Sequence, residues 1–556
     1  MLKASCNHPA HRYGNSPAMK NRYDAIVIGA GHNGLTNAAY LAKGGLDVLV
    51  VEKNDYIGGA AVSRELHPGW IYSNCSYVCS LLRQSIHRDL DLTRHGLMIV
   101  PYGGATNFAR NGDYMAEYKD EAMQYREIRR HSLRDADAAH RYNSDLMRYA
   151  KLIRHFLLRT PADPTSFRPR DLGELLFMAR KFAGMGEEQV CEFIRFMTMS
   201  AGDFLDEYFE NDLVKATLAT SSIIGTALGV YSPGTAYVLL HHVMGDVDGA
   251  VGAWGLARGG MGAISNAIAG ALREHGGDIR TNAPVAQIIV RNGRATGVAL
   301  DNGEEIHADI VVSNLDPKRT FTVIMDRKDI PPDLRQKAEN FKIRGSSGKV
   351  NIALTGAPDF PSLPKGHPLR HGSMQFLDSP ERMERAYDDW KHGRWSTDPF
   401  VEMTQSSMWD PTLAAPGHYF VSCFIQYCPA EVEGGWTPQK RDAFGRDVID
   451  QICNYSPNFR DLIAHMEVRT PYEIENEIGL TEGNIFQGEL TIDQLMFNRP
   501  FPGYSQYRGP VKGMYMCGSG THPGGGVSSA CGANSAREIL RDLRRPNVVP
   551  EDDVDE

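Results

Sequence analysis

Three glycines near the start of the chain are spaced to hold the diphosphate of a dinucleotide. Gly29, Gly31 and Gly34 follow the β-rich run 23–28 and precede an Ala- and Leu-rich run that predicts a helix. In such a bend the first glycine permits the tight turn, the second lets the backbone approach a pyrophosphate, and the third lets helix and strand pack closely. The unpaired N–H groups at the helix N-terminus then attract negative charge.

A carboxylate stands where the sugar of such a ligand would lie. Glu52 comes 23 residues after Gly29, at the end of a second predicted strand over 47–51. A carboxylate there can accept hydrogen bonds from both hydroxyls of an adenosine ribose, and it would repel a 2′-phosphate. The spacing therefore disfavours NADP. A βαβ turn without a ligand is the alternative.

Two further glycine-rich runs favour FAD over NAD. The run 58–63 begins with Gly58 and Gly59, where a chain can pass close beside a long extended dinucleotide, although an ordinary loop is the alternative. The run 517–527 contains three consecutive glycines and precedes a predicted helix. Such glycines let backbone amides approach a flat ring, and a flavin needs donors near N1 and O2, where reduction builds negative charge.

Three histidines are candidates for contact with a substrate. His522 lies in the run 517–527, and His241 with His242 lies in the stretch 216–245, which contains no Asp, Glu, Lys or Arg. For each, a hydrogen bond that shapes its own segment is the alternative. Desaturation or isomerisation by a flavin needs mainly an apolar slot over the ring and a hydride path to N5, and a strong acid or base is not required.

These residues must be positioned by a βαβ opening and by strands much further along the chain. Continuous apolar runs are typical of parallel strands that are buried on both faces. Asn292-Gly293 is a strong hairpin signal between two strand-like runs. Strands are predicted over 23–28, 47–51, 286–290, 295–300, 308–313 and 513–517, and helices over 35–44 and 529–544.

Length and charge restrict the class of protein. A chain of 556 residues predicts two domains. The net charge of −9 argues against nucleic acid as a partner, because phosphate binding needs a basic surface. Residues 1–18 lack the apolar centre of a secretory signal and predict a flexible extension, with a weak transit peptide as the alternative. The tail 546–556 is acidic and predicts a disordered end.

Two stretches raise the question of a membrane. The stretch 216–245 is broken by glycines and by a Ser-Pro-Gly turn, whereas a bilayer span needs ~20 unbroken apolar residues. It therefore predicts a buried helix and loop, lining a cavity. The helical region 126–181 carries 13 Lys/Arg against 7 Asp/Glu, with apolar residues at 152–157 between its cations. That pattern suits a helix lying on a membrane surface, and a solvated face is the alternative.

The cysteines predict neither a metal site nor a redox disulfide. There are nine, an odd number without metal-ligand spacing, which is typical of reduced thiols. Cys75 and Cys79 lie roughly where a disulfide reductase carries its redox pair, but three residues separate them rather than four. A second glycine motif for a nicotinamide cofactor is also missing. We expect unpaired thiols.

On these motifs the chain resembles the phytoene desaturase-like branch of the FAD-dependent oxidoreductases. The resemblance spans nearly the whole chain, from Tyr23 to Leu543. One departure is visible, since relatives often carry a histidine after Ile-Phe where this chain has Gln487. The stretches that carry the resemblance are 23–34, 52–63, 259–262, 282–285, 313–317 and 517–532.

The resemblance implies noncovalent FAD and a place for each residue that binds it. Gly29, Gly31 and Gly34 would contact the pyrophosphate, and Glu52 would hold the adenosine ribose. The other implied contacts are Lys53 beside Glu52, Gly59 and Ala60 along the dinucleotide, Val285 at the adenine, Gly518 and Ser519 near the pyrophosphate and ribityl chain, and Gly526 and Val527 near the isoalloxazine.

The predicted fold class is α/β, with a Rossmann-type FAD-binding domain, as in glutathione reductase and phytoene desaturase-like proteins, and an inserted α+β substrate domain. We expect the FAD-binding domain to comprise 19–90, 246–325 and 500–545. The substrate domain would comprise 91–245 and 326–499.

The predicted function is that of an FAD-dependent desaturase, dehydrogenase or isomerase. It would act on a hydrophobic, conjugated or lipid-like small molecule by hydride transfer to or from flavin N5, with oxygen or a quinone as electron acceptor. An amine oxidase-like flavoenzyme and a non-enzymatic regulatory flavoprotein are the alternatives. We expect a cytoplasmic location, or a mitochondrial one if the chain is eukaryotic. Peripheral membrane contact through 126–181 and a homo-oligomer are further expectations.

Overall fold

The structure is a computed structural model that describes residues 20–101 and 103–552. The predicted extension 1–18 and the last four residues of the predicted tail lie outside the described residues. The strands are β1 (Arg22–Ile28), β2 (Val48–Val51), β3 (Ser63–His67), β4 (Trp70–Ser73), β5 (Ile99–Pro101), β6 (Gly104–Phe108), β7 (Tyr114–Tyr118), β8 (Asp246–Val247), β9 (Ala250–Val251), β10 (Gly255–Ala257), β11 (Asp278–Arg280), β12 (Val285–Arg291), β13 (Arg294–Leu300), β14 (Glu305–Ser313), β15 (Ser347–Leu354), β16 (Ser373–Phe376), β17 (Phe400–Thr404), β18 (Tyr419–Gln426), β19 (Ile463–Arg469) and β20 (Met514–Met516). The α-helices are α1 (His32–Lys43), α2 (Gln84–Asp89), α3 (Glu121–His131), α4 (Leu133–Leu157), α5 (Pro169–Ala183), α6 (Glu187–Thr198), α7 (Ala201–Asp206), α8 (Asp212–Ala219), α9 (Thr235–His241), α10 (Gly262–Glu274), α11 (Pro317–Thr322), α12 (Pro332–Glu339), α13 (Pro380–Lys391), α14 (Ser406–Trp409), α15 (Pro438–Cys453), α16 (Pro471–Ile478) and α17 (Ala530–Asp542).

The first sheet is mostly parallel and carries the glycine bend. Its order is β11-β2-β1-β14-β13-β12, with β20 also paired to β14. Strands β11, β2, β1, β14 and β20 run parallel to one another. β12 and β13 form the predicted antiparallel hairpin, whose turn residues Asn292 and Gly293 both have positive φ, 52° and 71°. This Rossmann-type architecture confirms the predicted fold class.

Helix α1 is buried between α10 and α17 on one side of this sheet. The packing of α17 against α1 depends on Gly532, because a Cβ there would lie 2.2 Å from the carbonyl oxygen of Asn33. Asn37 Nδ2 also donates to the carbonyl oxygen of Gly532 at 3.1 Å. The C-terminal helix therefore holds the N-terminus of α1 in place.

The second sheet has seven strands in the order β19-β15-β18-β17-β16-β6-β7. It is mostly antiparallel, and only β6 and β16 pair in parallel. Its strands come from 104–118 and 347–469, within the two stretches assigned to the substrate domain. The strands of the first sheet come from 22–51, 278–313 and 514–516, within the three stretches assigned to the FAD-binding domain. The domain boundaries themselves stay a prediction.

The region 121–241 is helical, and its core includes the apolar residues that the sequence analysis considered for a membrane face. Leu152, Ile153, Phe156 and Leu157 are all buried in this core. Arg154 is buried with them and donates to Asp246 Oδ2 at 2.7 Å. These apolar side chains are therefore not available to a membrane. The expected membrane contact of 126–181 stays a prediction, and it would have to use other side chains of that region.

The stretch 216–245 is mostly buried, as predicted, with Pro233 exposed. It contains the end of α8 and all of α9, and Ile224 and His242 face a cavity. Within 20–101 and 103–552, no helix combines the length and apolar character that a membrane crossing requires.

The chain is ordered further into the acidic tail than the sequence predicts. Asp552 Oδ2 lies 2.6 Å from Arg83 Nη2, and both side chains are buried. Val549 is buried as well, and Arg537 Nη2 donates to the carbonyl oxygen of Pro550 at 2.8 Å. The expectation of a solvated tail is wrong for Val549 and Asp552, whose side chains are buried, whereas Pro546, Asn547 and Glu551 are exposed.

Candidate functional site

The glycine bend connects β1 to α1 and leaves the helix N-terminus without a side-chain cap. Gly29 has a φ of 95°, and its N–H donates to the Val51 carbonyl oxygen at 2.8 Å. A Cβ on Gly34 would lie 2.2 Å from the Gly29 carbonyl oxygen, so no larger residue fits without a shift. Helix α1 has Gly31 as its N-cap and no acidic residue in its first turn. Its first N–H groups therefore suit an external anion.

Glu52 is tied to this bend by hydrogen bonds. Its side chain is buried, with 7% of the residue exposed. Oε2 accepts from the Ala30 N–H at 2.8 Å, and Oε1 accepts from the Asn54 N–H at 3.0 Å. Burial raises the pKa of Glu52, and these backbone donors oppose that shift. The carboxylate is thus fixed beside the bend and retains lone pairs for further donors.

A first crevice of about 1140 Å³ runs along the carboxyl ends of β1, β2 and β14. This is the edge of a parallel sheet at which ligands bind in open α/β folds. Gly34 and Gly518 do not line it. Gly518 packs against Asn314 instead, since a Cβ on Gly518 would lie 2.6 Å from the Asn314 carbonyl oxygen. The predicted residues that line the first crevice are Gly29, Gly31, Glu52, Lys53, Gly59, Ala60, Val285 and Ser519.

Several residues of the first crevice were not predicted as contacts. Asn314 Nδ2 donates to the Gly29 carbonyl oxygen at 3.2 Å and so supports the bend from β14. Asn33 Nδ2 donates to Ser519 Oγ at 3.1 Å, which joins α1 to the C-terminal glycine run. Arg319 also lines the crevice and donates to Glu475 Oε1 at 3.0 Å. Asn314 lies in the stretch 313–317, which already carried the family resemblance. Nothing in the sequence identified Arg319 as a residue of this crevice.

Gln487, the visible departure from the relatives, also lines the first crevice. Its Oε1 accepts from the Gly520 N–H at 3.1 Å. Its Nε2 donates to the Asn314 carbonyl oxygen at 3.4 Å. The side chain therefore bridges the C-terminal glycine run and the end of β14, a structural role that needs no proton transfer.

A second crevice of about 870 Å³ continues from the first. The two share His32, Ala60, Ile485 and Ser519. Gly526 and Val527, predicted near the isoalloxazine, line only the second crevice. Its apolar and aromatic lining consists of Tyr77, Val78, Leu81, Ile224, Trp254, Phe424, Ile474, Ile485 and Phe486.

Lys349 is the single charged side chain among the described residues that line the second crevice. It lies on β15, its Nζ donates to Ser422 Oγ, and Nζ is 4.5 Å from the centroid of the Tyr77 ring. Burial lowers the pKa of Lys349 to about 8. The Tyr77 hydroxyl in turn donates to the buried Glu402 Oε2 at 2.6 Å. Sequence reasoning missed Lys349, because a lone lysine in a strand gives no signal.

The three candidate histidines occupy different positions. His242 lines the second crevice, and its Nδ1 donates to the Val238 carbonyl oxygen at 2.9 Å. His241 lies behind the glycine run and donates from Nε2 to the Gly525 carbonyl oxygen at 3.1 Å. His522 lines neither crevice and donates from Nε2 to the Phe156 carbonyl oxygen at 2.8 Å.

Burial keeps all three histidines neutral at pH 7. It lowers the pKa of His241 to about 3 and the pKa of His242 and of His522 to about 4. Of the three, only His242 lines one of the two crevices, whereas His241 and His522 line neither and donate to backbone carbonyl oxygens. A catalytic role for any of the three stays a prediction.

The thiols agree with the sequence analysis. Cys75 and Cys79 are buried and unpaired, and burial raises the pKa of each to about 12. Such thiols are poor nucleophiles. No group of three metal-ligating side chains occurs in 20–101 and 103–552.

The two crevices together fit an extended FAD molecule. An anion suits the uncapped N-terminus of α1, a ribose suits Glu52, and a flat ring suits the apolar second crevice beside Gly526. Gly526 has a φ of 113°, and a Cβ there would lie 2.3 Å from Leu81 Cδ1, so its backbone can border the cavity only without a side chain.

The chain is similar to known proteins over nearly its full length. It is 38% identical to pyridine nucleotide-disulfide oxidoreductase domain-containing protein 2 of Mus musculus, over 96% of this chain and 95% of that protein. It is 25% identical to one of the subunits of limonene dehydrogenase from Castellaniella defragrans, over 94% of this chain and 95% of that protein. The fold matches a triple mutant of putrescine oxidase with a TM-score of 0.59 and 15% identity, over 94% and 99% of the two chains.

Residues 34–385 match the family of flavin-containing amine oxidoreductases. The match agrees with the glycine bend, the Glu52 contact and the fold. The prediction of FAD as cofactor is confirmed. The chain belongs to the flavin-containing amine oxidoreductase family.

Proposed function

We propose that this chain is an FAD-dependent desaturase, dehydrogenase or isomerase whose substrate is an apolar, unsaturated small molecule. The observation that carries the proposal is the lining of the second crevice, which is apolar and aromatic beside Gly526 and Val527. When bound, FAD supplies hydride transfer at N5. The substrate carbon would therefore lie in this crevice.

The charge in the second crevice argues against a cationic substrate. The described lining contains Lys349 and no carboxylate. An ammonium group would find a like charge and no counter-ion, which is unfavourable in a buried site. An uncharged hydrocarbon meets neither penalty. The relative named as a limonene dehydrogenase supports a hydrocarbon substrate, since limonene is an unsaturated hydrocarbon.

The residues of the second crevice can exclude water and accept a proton. Trp254, Phe424 and Phe486 present apolar surface that a hydrocarbon would cover. Desaturation removes a hydride from one carbon and a proton from its neighbour. Lys349 Nζ can take that proton, because a pKa of about 8 leaves a fraction of the amine neutral near pH 7. We propose oxygen or a quinone as the final electron acceptor.

Anaerobic reduction of the holoenzyme tests the proposal. Purified protein with FAD is mixed with a monoterpene, a linear polyene or putrescine, and the loss of flavin absorbance is followed. We expect at least one unsaturated hydrocarbon to reduce the flavin and putrescine to leave it oxidised. Reduction by putrescine alone would make the amine oxidase alternative correct. Reduction by none of a broad panel would favour the regulatory alternative.

A pair of matched variants connects the activity to the second crevice. Lys349→Met removes the charged group of the second crevice, whereas Lys365→Met removes an exposed lysine that lines neither crevice. We expect the first substitution to slow flavin reduction by a desaturation substrate by roughly 10²-fold, the usual scale for a lost general base. The second should leave that rate within about twofold at saturating FAD.

A further inference from the structure

Arg499 is a fully buried cation whose hydrogen bonds all go to backbone oxygen atoms. Its Nε and Nη2 donate to the Ser519 carbonyl oxygen at 3.1 and 2.7 Å, and Nη2 also donates to the Phe486 carbonyl oxygen at 2.7 Å. Nη1 donates to the carbonyl oxygens of Glu489 and Gln494 at 2.7 and 3.2 Å. All three guanidinium nitrogens are thus hydrogen-bonded. The cost of removing the guanidinium from water is therefore offset by the dipoles of backbone carbonyls rather than by a counter-ion.

This charge has no ion-pair partner among residues 20–101 and 103–552. The carboxylate of Glu489 is instead paired with Arg344, at 3.1 Å between Nε and Oε1. Burial lowers the pKa of Arg499 to about 10, so the group remains charged at neutral pH. A buried charge without a counter-ion is costly, and proteins retain few of them.

Arg499 lies behind residues that line the two crevices, which indicates a role for its charge at the FAD site. Ser519, whose carbonyl it holds, lines both crevices, and Phe486 lines the second. A Cβ on Gly524, two residues before Gly526, would lie 3.6 Å from Arg499 Cζ. The guanidinium therefore lies directly behind the segment that borders the flavin end of the site, in a medium of low dielectric constant, where a charge acts over several ångströms.

We propose that the buried charge of Arg499 stabilises reduced FAD relative to oxidised FAD and so raises the reduction potential of the bound flavin. Reduction adds negative charge to the isoalloxazine, and a nearby cation favours that form. The inference rests on the FAD cofactor and is independent of the substrate proposed above.

Two other roles would look similar in the structure. Arg499 could act only through its hydrogen bonds, which join 486–494 to Ser519. In that case the planar geometry of the guanidinium would hold the site in shape, and its charge would not affect the potential. It could also act only on the pyrophosphate, since Ser519 contacts Asn33 at the N-terminus of α1. Because the pyrophosphate has the same charge in both redox states, that role would change FAD affinity without changing the potential.

The test is the midpoint potential of the holoenzyme, measured at pH 6 by slow reduction with xanthine and xanthine oxidase beside a reference dye. The variants are Arg499→Gln, which removes the charge, and Arg499→Lys, which keeps the charge and loses the fork. Arg460→Gln is the control, because it removes an exposed arginine whose ion-pair partner, Asp450, is exposed as well.

We expect Arg499→Gln to lower the ratio of reduced-FAD to oxidised-FAD affinity by roughly tenfold or more. For a two-electron couple, tenfold corresponds to about 30 mV. Arg499→Lys and Arg460→Gln should keep the wild-type potential. An unchanged potential in Arg499→Gln, or a shift in Arg499→Lys as large as that in Arg499→Gln, would overturn the inference. If Arg499→Gln fails to fold or to bind FAD, Arg499→Lys decides. Its potential should match that of the wild type at pH 6 and fall below it at pH 9, where burial favours a neutral lysine, and a difference that does not change with pH would overturn the inference.

Discussion

Glu52 Oε2 accepts a hydrogen bond from the Ala30 N–H at 2.8 Å, which fixes the carboxylate at the end of β2 against the glycine bend that follows β1. The bend and the carboxylate are 22 residues apart in the chain and form one site. One end of this site suits a diphosphate and the other suits the hydroxyls of a sugar. The distance between them is set by the parallel pairing of β1 with β2.

Gly34→Ala should impair both folding and FAD binding. The added Cβ would lie 2.2 Å from the Gly29 carbonyl oxygen, which forces α1 away from the bend. We expect a loss of about 1–3 kcal/mol in stability, the range for overpacked cores, and a lower FAD occupancy. Thermal unfolding and the ratio of flavin to protein absorbance measure the two effects.

Gly173→Ala is the matched control for that substitution. Gly173 lies in α5, where a Cβ would meet nothing within 4 Å. Alanine is the better helix former, so this variant should be as stable as the wild type or slightly more stable. Equal behaviour of the two variants would show that the close approach of α1 to the bend is not required.

Lys349 should make the stability of the protein depend on pH. Its pKa is lowered to about 8 from an ordinary value of 10.5, first by burial. Between these values the unfolded chain binds more protons than the folded protein, so stability rises with pH. Relative to Lys349→Met, the wild type should gain about 3 kcal/mol between pH 8 and 10.5. We expect the difference in Tm between the two proteins to move in favour of the wild type over that interval, and a constant difference would place the amine in a solvated position.

His522 should act through stability rather than through proton transfer. Its Nε2 holds the Phe156 carbonyl oxygen at the end of α4, and burial keeps its pKa near 4. His522→Ala would remove one hydrogen bond of that carbonyl, which also accepts from the Arg159 N–H at 3.3 Å, and would leave a cavity in the core, at a combined cost of about 1–3 kcal/mol. The exposed His140→Ala, also in α4, should change little. If His522→Ala instead altered the pH profile of flavin reduction at unchanged Tm, a direct role in the reaction would be indicated.

The buried thiols of Cys75 and Cys79 should be inert in the native protein. Cys191 is exposed, whereas Cys75 and Cys79 are buried with a pKa of about 12 each. Iodoacetamide should therefore label Cys191 long before Cys75 or Cys79, as read by peptide mass spectrometry. The double variant Cys75→Ser, Cys79→Ser should still bind FAD. Rapid labelling of this pair, or its recovery as a disulfide, would revive the interpretation of a disulfide reductase.

The parts of the site that the sequence predicts are those set by local spacing. Gly29 to Gly34 and Glu52 belong to one βαβ unit, so their separation along the chain fixes their separation in space. Val285 and Ser519 were reached through a family resemblance, and they line the same crevice. The hairpin at Asn292-Gly293 followed from turn chemistry alone.

The parts that the sequence does not predict depend on tertiary packing. Lys349 comes from β15 of the second sheet, and Arg499 comes from a loop that meets the glycine run only in the folded protein. A different limit applies to the apolar residues Leu152, Ile153, Phe156 and Leu157. Their helical pattern identifies a face that needs covering, but it does not distinguish a membrane from the protein core that covers them.

The most direct test is an equilibrium titration of the apoprotein with FAD, followed by the quenching of flavin fluorescence, for the wild type and Glu52→Gln. The wild type should bind one FAD per chain, and loss of the Glu52 charge should weaken binding by roughly tenfold to a hundredfold. Glu304→Gln, which alters a surface ion pair with Arg280, should bind as the wild type does. A wild-type protein that takes up no FAD, or a Glu52→Gln variant that binds FAD as tightly as the wild type, would contradict the assignment of the bend and the carboxylate.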